Sequence, residues 1–124
     1  MTESKPIRSF EDLDVYQKAY GLALEIHRST LEFPKSEQFA LADQMRRASK
    51  SICANIAEGF AKQRHSSPEF RRFISIAIGS SDEMRVWLSF AKDLGYIEDG
   101  ACARWREEFS FVARMLTGLR AKWE

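Results

Sequence analysis

Residues 102–123, CARWREEFSFVARMLTGLRAKW, decide the fold. Within them Cys102, Trp105, Phe109, Val112, Leu116, Leu119 and Trp123 recur at alternating intervals of three and four. At about 100° per residue that spacing keeps every one of these side chains on a single helical face over three heptads, whereas a strand would need a period of two. A helix of this length with one apolar face has to bury it against other helices.

The rest of the chain repeats the pattern. In the first segment Leu13, Tyr16, Tyr20, Ala23, His27 and Leu31 form the expected core stripe, widened by Leu24 and Ile26. Leu41, Met45, Ala48, Ile52 and Ile56 form the second, and Phe70, Phe73, Ala77, Ser81, Met84, Leu88 and Ala91 the third, flanked by Ile74 and Ile78. Breaks fall at Phe33-Pro34-Lys35-Ser36, at Arg64-His65-Ser66-Ser67-Pro68 and at Gly95 to Gly100. Ser66 with Pro68 is a helix-start signal, Leu94-Gly95 a helix stop, and Glu11 or Asp12 an acidic opening for the first helix. The reading is all-α: one domain over 1–124 with helices at about 11–32, 37–63, 67–94 and 100–123. Short connections make it an antiparallel up-down-up-down four-helix bundle.

Composition supports a folded chain with little intrinsic chemistry. The 124 residues are 44% hydrophobic and 30% charged, with a formal net charge of +1, which excludes disordered and low-complexity classes. With no membrane-length apolar run and no leader-like N-terminus, the expected location is cytoplasmic. Cys53 and Cys102 then read as two reduced thiols, since neither belongs to a C-x-x-C pair. His27 reads as a core histidine and His65 as a solvated loop residue. Neither is preceded by Glu three positions earlier, so a ferritin-like di-metal site is excluded, and no phosphate-binding glycine loop is present. The expectation is a non-enzymatic protein with no catalytic residue, metal or cofactor.

Two surface features carry the functional reading. On the second helix Gln44, Arg47, Ser51, Asn55, Glu58 and Lys62 project into an arc of about 80° beside the apolar stripe. They are expected to form a half-buried polar network, with Asp82 or Glu83 of the third helix facing Arg47. Loss of Arg47 is accordingly expected to damage folding or assembly. Charge is also polarised: residues 10–45 hold seven acids and three bases, whereas residues 46–72 hold seven bases and two acids. Lys62, Arg64, Arg71 and Arg72, around the turn between the second and third helices, are candidate contacts for an RNA or DNA backbone. Phe111, Met115 and Gly118, offset from the fourth-helix seam, and Trp87 and Phe90 on the third are apolar beyond what one core needs. Phe111 and Met115 are therefore candidate subunit contacts.

At these residues the chain resembles the four-helix-bundle proteins encoded by intervening sequences of bacterial 23S ribosomal RNA genes. The resemblance runs from Phe10-Glu11-Asp12-Leu13 through Tyr16-Gln17-Lys18-Ala19 and Phe33-Pro34-Lys35 to Ala91-Lys92-Asp93-Leu94-Gly95-Tyr96-Ile97. It is sharpest at Gln44-Met45-Arg46-Arg47-Ala48 and Ser51-Ile52-Cys53-Ala54-Asn55-Ile56-Ala57-Glu58-Gly59. It implies a homopentameric barrel of up-down bundles. A related branch, the accessory variability proteins of diversity-generating retroelements, implies a basic pentamer that binds nucleic acid and partners a reverse transcriptase; this chain departs from it in its net charge of +1. The expected partners are therefore further copies of the chain, an RNA or DNA, or an unidentified protein, with no membrane.

Overall fold

The computed structural model describes residues 6–122 and contains four helices: α1 (Asp14–Thr30), α2 (Leu41–Lys62), α3 (Ser67–Asp93) and α4 (Asp99–Ala121). No strand occurs among the described residues. A 3-10 turn, Phe10–Asp12, precedes α1. Ser9 caps it by accepting from the Glu11 N–H at 3.2 Å, while the Asp12 carboxylate accepts from the Ser9 N–H at 3.1 Å. That reciprocal box delays α1 to Asp14. Ser66 accepts from the Glu69 N–H at the start of α3, with Pro68 in the first turn. Gly95 follows α3 at φ +80°, a left-handed conformation that glycine adopts without a Cβ penalty.

Cross-helix contacts fix the direction of each helix. His27 and Thr30 of α1 meet Lys50 and Arg46 of α2; Ser51 of α2 meets Ser80 of α3, and Gly59 lies on Phe70 and Ile74. Leu88 of α3 meets Cys102 and Ser75 meets Arg120; Lys18 of α1 meets Glu108 and Glu25 meets Arg104 of α4. In each pair the numbers rise on one helix as they fall on the other, so every neighbour is antiparallel. Helix α4 packs back on α1 and closes the up-down-up-down bundle.

The α4 seam is buried at Cys102, Trp105, Phe109, Val112 and Leu116, with Leu119 partly so; Trp123 lies outside the described residues. The α2 stripe faces the core, joined by Ala42, Ser49 and Gly59, and the α3 stripe does so except at Phe73, which is half-buried while its neighbour Ile74 is fully buried. Helix α1 differs from the sequence reading. Its buried residues are Val15, Ala19, Leu22, Ala23, Ile26 and Thr30; of the expected stripe Ala23 and Ile26 are buried and Leu13 and Tyr16 pack on the core partly buried, while Tyr20, Leu24 and Leu31 are exposed. Two stripes of heptad spacing run along this helix, and the one that wins has the smaller residues, letting α1 approach its neighbours without burying two tyrosine hydroxyls. The same rotation takes His27 from the core to the helix margin.

The ten-residue α1–α2 connection is firmly held. Phe33 is buried against Tyr96, and the Tyr96 hydroxyl donates to Glu37 at 2.8 Å. Gln38 donates to the carbonyls of Thr30 and Phe33, and Arg46 donates to the Gln38 carbonyl at 2.8 Å and the Thr30 hydroxyl at 3.0 Å. Arg46 is thus a loop anchor.

Candidate interaction surfaces

The α2–α3 turn, with the C-terminal end of α4 beside it, makes one side of this end of the bundle basic, while the start of α1 and the turn before it, at the same end, carry Glu11, Asp12 and Asp14. Lys62, Arg64 and His65 are exposed there, and Lys62 and Arg64 have no carboxylate partner among the described residues. Arg71 is half-buried. Arg72 donates to Glu69 at 2.8 Å and lies 4.5 Å from the Phe73 ring centroid, so its charge is partly offset. Two bases absent from the sequence reading extend this end: Arg120, which donates to Ser75 one turn beyond Arg71, and Lys122. Antiparallel pairing of α3 with α4 brings them there, which local spacing alone does not encode.

The polar stripe on α2 divides. Asn55 donates to the Ser51 carbonyl at 2.8 Å and hydroxyl at 3.0 Å, and Ser80 of α3 donates to that hydroxyl at 3.1 Å. Gln44, Arg47, Glu58 and Lys62 are exposed and join no such network. Arg47, with its side chain 76% exposed, pairs with Asp43 one turn earlier on the same helix at 2.8 Å, not with Asp82 or Glu83. Asp82 sits near Arg85, and Glu83 accepts from the Trp87 indole at 3.0 Å. Part of the reason is angular: in an arc about 80° wide Asn55 lies at the core-side edge and Arg47 at the far edge, turned to solvent, while Ser51, mid-arc, is covered where Ser80 of α3 meets it.

Three mostly apolar hollows border α2; one, of about 300 Å³, lies at the basic end among Ile7, Leu13, Phe60, Phe70 and Leu119, and the other two lie along its sides. A groove of about 430 Å³ between α1 and α2 is lined by Phe10, Tyr16, Tyr20, Leu24, Cys53 and Ala57, with Lys50 at its rim. The other, of about 340 Å³ between α2 and α3, is lined by Leu41, Trp87, Phe90 and Leu94. Beside it in sequence stands Phe39, 96% exposed on the pinned connection. The sequence reading passed over Phe39; a lone aromatic between Gln38 and Ala40 was its only signal. Phe111 is 44% exposed but lies 5.3 Å from the Lys18 ammonium and 5.5 Å from the Arg114 guanidinium. Met115 packs on the core.

At the α1–α2 margin, the Lys50 ammonium donates to His27 Nδ1 at 3.0 Å. The Lys50 charge, then burial and the charges of Arg46 and Arg28, hold the His27 pKa below its ordinary value. Both cysteines are free, and burial pushes the Cys53 thiol up to about 11. No cluster of three or more His, Cys, Asp or Glu that could hold a metal occurs among the described residues. No helix among them is long and apolar enough to cross a membrane.

The sequence model of the 23S rRNA-intervening sequence proteins matches residues 11–118. The chain belongs to that family. No curated protein matches the sequence. Among solved structures it is similar to a protein of unknown function from the S23 ribosomal protein family of Bacteroides thetaiotaomicron, at 22% identity and a TM-score of 0.77. The match covers 86% of this chain and 95% of that one, a likeness of fold. In this family member the segment Asn55-Ile56-Ala57-Glu58-Gly59 has structural roles at three positions. Asn55 ties α2 to α3 through Ser51, Ile56 is fully buried, and Gly59 lets α3 approach: a Cβ there would stand 3.3 Å from Phe73 Cβ and 3.4 Å from the Phe70 carbonyl oxygen.

Proposed function

We propose that this protein is a non-enzymatic, homo-oligomeric binding module, a pentamer as its family resemblance implies, whose basic end makes weak contact with an RNA or DNA backbone. The observation that carries the assembly is Phe39: a phenyl ring 96% exposed on a loop held by hydrogen bonds on both sides. An ordered, bare aromatic beside an apolar hollow is the chemistry of a contact surface. The groove on the α1–α2 face and the hollow on the α2–α3 face are different patches, so pairing one with the other is a head-to-tail contact, which closes into a ring where the rotation between copies allows. Adjacent faces of a four-helix bundle point about 90° apart, and rings of four or five copies need about 90 to 108° between their two contact faces. A ring repeats Lys62 and Arg64 around one rim, where several weak phosphate contacts act together. The raised Cys53 pKa leaves little thiolate at neutral pH, which speaks against Cys53 as a nucleophile.

A second reading, a protein-binding scaffold with no nucleic-acid role, draws on the net charge of +1 and the Glu69 carboxylate beside Arg72. Light scattering coupled to size exclusion tests the assembly: a monomer at micromolar concentration rejects it. Fluorescence anisotropy with a structured RNA over a salt series tests the rim. Affinity that falls steeply with salt and weakens in Lys62→Gln/Arg64→Gln supports the first reading, and absence of binding at low salt leaves the scaffold.

A further inference from the structure

On the α3–α4 face, away from the basic end, two guanidinium groups share a hollow of about 410 Å³ lined by Asp82, Arg85, Val86, Ser89, Phe90 and Arg106. Arg106 is half-buried and has no carboxylate partner among the described residues. One of its nitrogens, Nη1, is fixed by the Arg85 carbonyl at 2.8 Å and the Ser89 hydroxyl at 2.6 Å, which sets the plane of the fork. Ser89 in turn donates to the same Arg85 carbonyl at 3.2 Å. Arg85 Nε is buried and lacks an acceptor among the described residues. Asp82, its ion-pair partner among them, reaches Nη1 only at 3.6 Å, beyond a hydrogen bond. A half-buried cation without a counter-charge is costly, and one carboxylate beside Arg106 relieves it.

We propose that this hollow receives an acidic side chain of a partner polypeptide, presented next to an apolar one. The planar fork of arginine matches a carboxylate bidentately. Val86, 51% exposed, supplies an apolar shelf at the edge of the same hollow, and Phe90 stands between this hollow and the α2–α3 one. That shelf favours an acidic-apolar segment over a phosphodiester backbone, which is polar throughout and gains nothing from it. The site is independent of the rim formed by Lys62 and Arg64.

Amide chemical shifts of the full-length protein, titrated with three blocked pentapeptides, test the assignment. The probes are Glu-Phe-Glu-Leu-Glu, its neutral counterpart Gln-Phe-Gln-Leu-Gln, and the charge-only Glu-Ser-Glu-Ser-Glu. The first is expected to saturate below about 10 mM with shifts centred on Arg85, Ser89 and Arg106, and each control to bind about tenfold more weakly or worse. Arg106→Gln should weaken the first peptide about tenfold while melting normally, and Lys92→Gln, which removes an exposed charge of α3 away from the hollow, should leave it unchanged. Equal binding of either control, shifts centred elsewhere, or no saturation overturns the proposal. If Arg106→Gln fails to fold, the three-peptide comparison on the unaltered protein decides alone.

Discussion

The indole Nε1 of Trp105 donates to the Glu25 carboxylate at 3.0 Å, stitching α4 to α1 along the last seam to close. Arg104 donates to the same oxygen at 2.7 Å. Burial works against ionisation of this carboxyl, but the hydrogen bonds from Arg104 and Trp105, with the charges of Arg104 and Lys18, outweigh it and lower its pKa. A lowered folded-state pKa means stability that is full above the unfolded value of about 4.3 and lost as pH falls through the folded one. The pair is partly exposed, so the contribution is under about 1 kcal/mol. Glu25→Gln should therefore be less stable than the parent in urea melts at pH 7, with the gap closing below about pH 4. A gap that stays constant to pH 3 would mean the ionised carboxylate is not its source.

Ile52 and Arg47 occupy one helix and should respond in opposite ways. Ile52 is fully buried between α2 and its neighbours, so Ile52→Ala is expected to cost about 2 to 5 kcal/mol. Arg47 holds an exposed one-turn ion pair with Asp43, and Arg47→Ala is expected to cost under about 1 kcal/mol. This replaces the sequence-based expectation of a large loss. Denaturant midpoints of the two variants check it, and an Arg47→Ala loss comparable to that of Ile52→Ala would place Arg47 in a contact beyond this chain.

Spacing makes the four helices and three of their core faces legible, because three-four periodicity over 20 or so residues has few rival readings. It does not orient α1, where a tyrosine-bearing stripe and an alanine-bearing stripe share one period and packing distance chooses between them. Nor does it reach sites assembled across helices. The Arg85–Arg106 hollow and the Arg120 contribution to the basic end depend on the register of α3 against α4. Arg47 illustrates a third gap: an arc beside an apolar stripe has a near edge and a far one, and the small residues Ala42 and Ser49 pull the true centre of the core away from it.

Protonation of His27 brings a cation next to Lys50, with Arg46 and Arg28 close by. Its folded-state pKa lies below the ordinary value, so the unfolded chain takes up the proton first. Stability tied to neutral His27 is complete above about pH 6.5 and declines as pH falls through the folded pKa. Between about pH 7 and pH 5 the parent should lose more stability than His27→Gln. Parallel pH profiles would show that the imidazole is free of Lys50 in solution.

Gly59 sets two effects against each other. Alanine gains about 1 kcal/mol of helix propensity, yet its Cβ would press on Phe73 Cβ and the Phe70 carbonyl oxygen, neither of which can swing aside. Gly59→Ala should fall within about 1 kcal/mol of the parent, whereas Gly59→Val adds branches to the tight contact and should cost about 1 to 3 kcal/mol. A neutral valine in thermal melts would mean that α2 and α3 stand further apart.

Phe39 separates folding from assembly. At 96% exposure its ring contributes almost nothing to the bundle's own core, so Phe39→Ser should leave the melting of an isolated subunit within about 0.5 kcal/mol of the parent. The backbone on either side keeps its anchors, because Gln38 and Arg46 hold the connection without the phenyl ring. An interface aromatic that loses its ring typically costs about 2 kcal/mol or more per contact. A closed ring repeats that loss at every junction, so dissociation on dilution should begin at a concentration at least about tenfold higher. Phe111→Ser is the comparison, because that ring already rests under Lys18 and Arg114 of its own chain and should matter less to assembly. Light scattering across a dilution series measures both, and an oligomer lost with Phe111 but kept without Phe39 would move the subunit contact to the α4–α1 face.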